Sequence, residues 1–175
     1  MRYLIFFLIA FGVLAEDAES HKLVTFDELC TFEFKFGKAI ATTEEERQQR
    51  FKEAIEQIPD AVKALDKKSV RIDGYMYPIK LRKGRAEAFL LMRGLQSCCF
   101  GRFPRLNEII YVKMDEPAHF EQFSPVTVYG SFIVGGELDA DDAGPAVYRL
   151  SGTKVTKSFN KLLPAHDQPG HQGAP

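Results

Sequence analysis

The sequence predicts a mainly β protein of the α+β class, with an N-terminal helical segment packed on a small antiparallel barrel or sandwich. Three observations carry this reading. From Ser69 onward, five strand-like runs follow one another with short turns and little helix between them. A single amphipathic helical stripe precedes them. The 175 residues are 45% hydrophobic, with fifteen Phe and no Trp, an ordinary globular composition in a chain long enough to bury a core unaided.

The first residues, MRYLIFFLIAFGVLAEDAES, carry one positive charge at Arg2 and then an apolar run of about 13 residues. That run suits a signal h-region and falls short of the roughly 20 residues a membrane span needs. Val13 and Ala15 are small enough for the −3 and −1 positions of a cut before Glu16, so 1–15 reads as a signal peptide and the product as exported, periplasmic or extracellular. An uncleaved N-terminal anchor is the alternative. After cleavage no stable membrane span is expected.

Residues 21–68 form the next unit. Within LVTFDELCTFEFKF, the tract Phe32, Phe34 and Phe36 alternates at period two and predicts a strand, with FDEL as a short helical turn before it. Thr43 with Glu46 three residues on gives the capping-box spacing, and three glutamates fill the first turn, where the helix dipole favours them. Phe51, Ala54, Ile55 and Ile58 make the core-facing stripe of that helix. Pro59 ends it, because Pro lacks a backbone donor and clashes with the preceding turn, and suits the start of one further helical turn.

Residues 69–160 form the barrel. SVRIDGYMYPI places Val70, Ile72, Gly74 and Met76 on one face, and Lys83-Gly84 is a hairpin turn before AEAFLLMR. NEIIYVKM, SPVTVYGSFIVGG and AVYRLSGTKV complete the series, with Val126, Val128, Gly130, Phe132 and Val134 alternating cleanly. Gly74 and Gly130 supply the bends a small closed sheet requires. The tail, 161–175, is Pro-, Gly- and polar-rich and predicts disorder.

A formal net charge of −1 gives no electrostatic footprint for nucleic acid, and none is expected as a partner. No catalytic Ser-His-Asp set, P-loop or dinucleotide-binding glycine pattern is present, and ELDADDAG lacks the spacing and terminal Glu of an EF-hand loop. An enzyme is therefore the less favoured class. Lys80, Arg82, Lys83 and Arg85 keep a hairpin wet or, with Arg93, Arg102 and Arg105, make an anion-binding rim.

The chemistry-bearing feature is the adjacent pair Cys98-Cys99. Consecutive Cα atoms lie about 3.8 Å apart, below the usual disulfide range of roughly 4.4–6.8 Å, so a vicinal bond would be strained and easily reduced. A bridge from Cys30 to Cys98 or Cys99 would instead close a loop of about 69 residues, worth about 4 kcal/mol in the chain-entropy model. Buried free thiols are a third reading. For a metal, Zn or Cu would suit thiolates, with Cys98, Cys99 and His119 as ligands and Cys30 as a further recruit. No CxxC is present, and otherwise no cofactor is expected.

The blocks IPDAVKALDKKSVRIDGYMYPI, AFLLMR, SCCFG, NEIIYVKM and PVTVYG, in that order and spacing, resemble an exported bacterial family of unknown function over residues 58–152. Gly74, Tyr75, Met76 and Pro78 match its opening motif, Cys98 its recurring cysteine and Asn107 the asparagine opening its next strand. The resemblance implies an OB-like β-barrel and a place beside ABC-type permease components, some associated with metal uptake. Some relatives carry His where this chain has Phe100, and prolines where it reads GRFPRL, departures that count against a metal here.

The expectation is thus an exported, non-enzymatic binding or accessory module, an OB-like barrel serving an envelope permease. Its functional end would be the 98–104 loop, with Cys98, Cys99, Arg102, Arg105 and Asn107 as binding candidates. A thiol-based redox or metal-carrier protein using Cys98 and Cys99, and a purely structural envelope protein, are the alternatives.

Overall fold

A computed structural model describes residues 21–36, 42–95, 104–135 and 146–158. The order of elements is β1 (Lys22–Val24), α1 (Phe26–Leu29), α2 (Glu44–Gln57), α3 (Asp60–Lys63), β2 (Ser69–Arg82), β3 (Arg85–Met92), a 3₁₀ turn (Leu106–Glu108), β4 (Ile109–His119), β5 (Pro125–Val134) and β6 (Tyr148–Lys157). The expected signal segment 1–15 and tail 161–175 lie outside the described residues.

The barrel closes because β2 serves two neighbours. Its first half pairs with β5, from Ser69↔Ser131 to Tyr75↔Pro125, and its second half pairs with β3, from Tyr75↔Met92 to Arg82↔Arg85. Tyr75 is the hand-over residue. The ring runs β2-β3-β4-β6-β5 and back to β2, with β1 added in parallel outside β2. This is the five-stranded Greek-key closure of an OB-like barrel. It is antiparallel except at β4–β6, where Tyr111↔Arg149 to Met114↔Gly152 run parallel.

Two glycines permit the tight approach. A Cβ on Gly74 would sit 2.8 Å from the Leu91 side chain, and one on Gly130 would overlap Ser151 O, at a register shift between β5 and β6. The β2–β3 hairpin turns through Lys83 (φ 52°) and Gly84 (φ 75°), the paired positive angles of a type I′ turn. Inward residues of alternating strands fill the interior: Val70, Ile72, Phe89, Leu91, Ile110, Val112, Val126, Val128, Phe132 and Leu150 are all buried.

One end of the barrel carries the start of β2, β4 and β6 and the finish of β3 and β5. The N-terminal segment caps this end. Thr43 and Glu46 form the capping box of α2, whose Ala54 and the following Ile58 are buried while Phe51 and Ile55 pack at the rim of the core. Pro59 caps α3, and Val62 and Leu65 are buried beyond it. Lys67 N–H donates to Phe132 O (2.7 Å), Phe132 N–H to Lys68 O (2.9 Å) and Val134 N–H to Asp66 Oδ1 (2.9 Å), lacing the cap to β5.

The expected Phe32–Phe34–Phe36 strand is not one. The segment is irregular, with a bend at its start and no ladder partner among the described residues, and α2 lies beside it instead of another strand. Lys35 N–H donates to Gln57 Oε1 (2.7 Å) and Gln57 Nε2 donates back to Lys35 O (3.1 Å). The rings then pack on one another, Phe32 edge-on to Phe34 and Phe34 stacked on Phe36. The FDEL turn is helical as expected, with its own capping box from Thr25 and Glu28. No described helix is long and apolar enough to cross a membrane.

Candidate functional site

At the capped end, the 3₁₀ turn sets Asn107 under the Phe32–Phe36 segment. Asn107 is only 1% exposed. Its Nδ2 donates to Phe32 O (2.7 Å), and its main-chain oxygen accepts from Cys30 Sγ (3.2 Å). Among the described residues its Oδ1 has no partner. Arg105, just before the turn, pairs with Glu33 (2.9 Å), so one ion pair bridges the two segments. Between them lies a cleft of about 340 Å³, walled by Phe34, Phe36, Pro104 and Leu106, edged by Glu33 and Arg105, and reaching Asn107.

Behind the cleft sits the thiol of Cys30, at the C-cap of α1. Burial pushes it up from 9.0 to about 11; Arg93, by charge and hydrogen bonding, pulls the other way, and the carboxylates of Glu108 and Asp27 add to the rise. Arg93 is anchored to Asp27 (2.6 Å) and lies 4.0 Å from Glu108. Tyr148, fully buried and stacked obliquely on Phe132, has its phenol pushed up by burial and, secondarily, by the nearby Cys30. This end of the barrel offers apolar walls, ion pairs of Arg93 and Arg105, and a buried thiol and phenol held in their neutral forms.

Of the sequence-derived candidates, Arg105, Asn107 and Cys30 come together here. Cys98, Cys99 and Arg102 lie outside the described residues. The expected bridge from Cys30 to Cys98 or Cys99 involves partners that lie outside the described residues. Cys30 is a free thiol, directed at Asn107 O. His119 is not brought to the site. It closes β4, an 11-residue strand, at the end remote from Asn107, where it faces Glu121 (3.6 Å). Among the described residues no three His, Cys, Asp or Glu side chains converge as a metal site.

The anion-binding rim is also dispersed. Lys80 and Arg82 both pair with Glu87 (3.2 and 2.9 Å) and Arg85 donates to Pro117 O, all at the uncapped end, whereas Arg93 and Arg105 pair with acids at the capped end. Sequence reasoning missed Glu33, the partner of Arg105. Its alternation with Phe32, Phe34 and Phe36 was the available signal.

Residues 15–157 match the model of the family described as "Protein of unknown function (DUF3299)". The chain belongs to this family. A crystal structure of a DUF3299 family protein from Pseudomonas aeruginosa PAO1 is similar, with TM-score 0.55 and 25% sequence identity over 81% of this chain and 99% of that one. No curated protein matches. The DUF3299 match spans both the cap and the whole barrel, so the cleft between the 33–36 and 104–107 segments lies inside the family's extent.

Proposed function

We propose that this DUF3299 chain is an exported, non-enzymatic binding or accessory module that serves an ABC-type envelope transport system through its capped barrel end. The observation that carries this reading is the cleft at Asn107, where exposed aromatic surface from Phe36, the Arg105–Glu33 pair and a buried amide meet on a rigid frame. Such a set of apolar walls with a few fixed polar groups suits recognition of a ligand or protein segment. The apolar N-terminal run supports export, and the similarity to a family found beside permease components supports the partner class. The barrel itself is neutral on this point, because OB-like folds host many functions.

The test is gentle detergent extraction of the tagged full chain from envelopes, followed by identification of bound proteins. Permease components should accompany the wild type. Their recovery should fall at least about tenfold with Arg105→Glu or Phe34→Ala, at unchanged thermal unfolding. Equal recovery with the variants, or no permease component with the wild type, overturns the reading.

A further inference from the structure

The uncapped end of the barrel carries a different surface. Pairing of β2 with β5 stops at Tyr75↔Pro125, so among the described residues the second half of β2 has a strand on one side only. Along that open edge, Tyr77 (49%), Ile79 (38%) and Leu81 (46%) are exposed. Phe123 is more exposed still, at 65%, and stands two residues before Pro125, at the mouth of the same edge. Its φ of 59° is a costly backbone state for a bulky aromatic residue, and it holds the ring out in water. Four large apolar side chains in one place is more than scattered surface exposure requires.

The edge is unfit for strand addition. Pro78 lacks a donor, and register shifts on both sides of Lys80 break the regular ladder an incoming strand would need. What the surface offers is undirected apolar burial next to positive charge. From residue 77 to 88 the chain carries Lys80, Arg82, Lys83 and Arg85 against the single acid Glu87. That carboxylate is shared by Lys80 and Arg82. Asp115 and Glu116 belong to β4, on the far side of β3 from the open edge, and Glu121 is engaged by His119 and Lys157. Apolar and tyrosyl side chains interleaved with long cationic ones match a bilayer interface, where stems lie along the acyl boundary and charged heads reach anionic phosphates.

We propose that the β2–β3 hairpin tip, with Phe123, docks this protein on the surface of a membrane bearing anionic lipids. The contact is peripheral, sits at the end opposite the cleft, and leaves the capped end facing away from the lipid.

Hydrogen exchange of the full chain tests this with and without vesicles. Mixed phosphatidylglycerol–phosphatidylethanolamine vesicles should slow exchange in 76–84 and 121–124, and phosphatidylcholine vesicles should not. Ile79→Asp with Leu81→Asp, and separately Phe123→Asp, should abolish that protection and cut vesicle co-sedimentation at least about tenfold, at unchanged thermal unfolding. Lys80→Glu with Lys83→Glu should weaken binding most at low salt. Three results overturn the proposal. These are vesicle binding without protection of the two segments, equal protection on neutral vesicles, and protection that follows protein concentration without lipid, which would mark a second copy as the occupant.

Discussion

Cys30 makes a quantitative prediction about thiol chemistry. Its thiol is held up at about 11, against 9.0 for an unperturbed one. At pH 8 that difference cuts the thiolate fraction about a hundredfold. A more basic thiolate is intrinsically a better nucleophile, and a Brønsted coefficient of about 0.45 over two units restores about eightfold. The net expectation is alkylation by iodoacetamide about tenfold slower than in the unfolded chain, with burial slowing it further. The rate should keep rising tenfold per pH unit beyond pH 9 and level only near 11. Arg93→Gln removes the positive charge and hydrogen bond that oppose the rise, so labelling should become slower still.

The assay is pulse alkylation from pH 7 to 11, read by mass spectrometry of the Cys30 peptide, native and denatured, with and without reductant. The linkage sign is fixed by the same shift. Because folding raises this pKa, its contribution to stability is complete below about pH 9 and is lost as pH climbs towards 11. Native labelling as fast as denatured, or acceleration by Arg93→Gln, refutes the burial argument. A Cys30 that resists labelling in denaturant until reductant is added refutes the free-thiol arrangement and restores the bridge to Cys98 or Cys99.

Two packing predictions follow from the barrel. Gly130→Ala should cost at least about 3 kcal/mol in denaturant unfolding, because the new Cβ meets backbone, Ser151 O, which cannot step aside as a side chain can; a change under about 1 kcal/mol would mean the β5–β6 approach is looser than this. Tyr148→Phe should be neutral or stabilising by up to about 1 kcal/mol, since its buried hydroxyl has no partner among the described residues, and a clear loss would reveal one. Thr43→Ala should cost about 1 kcal/mol by removing the acceptor for Glu46 N–H, checked by thermal unfolding.

Local chemistry was legible wherever neighbours in sequence decide it. The Thr43–Glu46 cap, the Phe51–Ile58 stripe, the Lys83-Gly84 turn and the period-two faces of β2 and β5 all follow from short-range rules. The misread Phe32–Phe36 strand, and the placements the sequence left open, depend on partners distant in sequence. Phe32–Phe36 alternates like a strand, but Gln57 takes the backbone groups a ladder would have used. The basic residues look like one cluster until β3 carries Arg85 and Arg93 to opposite barrel ends. His119 and Asn107, 12 positions apart, are separated by nearly the whole of β4, about 35 Å at the usual strand rise. Closure was legible in the series of short strands and in Gly74 and Gly130; which strands meet was not, since that rests on Tyr75 handing β2 from β5 to β3.

Asn107 is the residue through which the cap and the barrel communicate. Its side chain holds Phe32 O and its backbone holds the Cys30 thiol, so it ties both ends of the 30–32 turn to the entry of β4. A nearly isosteric change exposes how much that tie depends on a donor. In Asn107→Asp, a carboxylate would face Phe32 O at the former donor distance of 2.7 Å, with like partial charges opposed in a site 1% exposed. Only the protonated acid can replace the lost N–H donor. Its pKa must therefore rise on folding, so the variant's stability is greatest below about pH 4 and falls as pH increases through the raised value. At pH 7 the loss relative to wild type should reach about 3 kcal/mol, the scale of a buried uncompensated charge, shrinking towards zero in acid. Paired urea titrations from pH 3 to 8 measure the difference directly. A pH-independent gap would mean that Arg93 or Arg105 swings in to neutralise the new charge, and that the Phe32 carbonyl is not what fixes the cap.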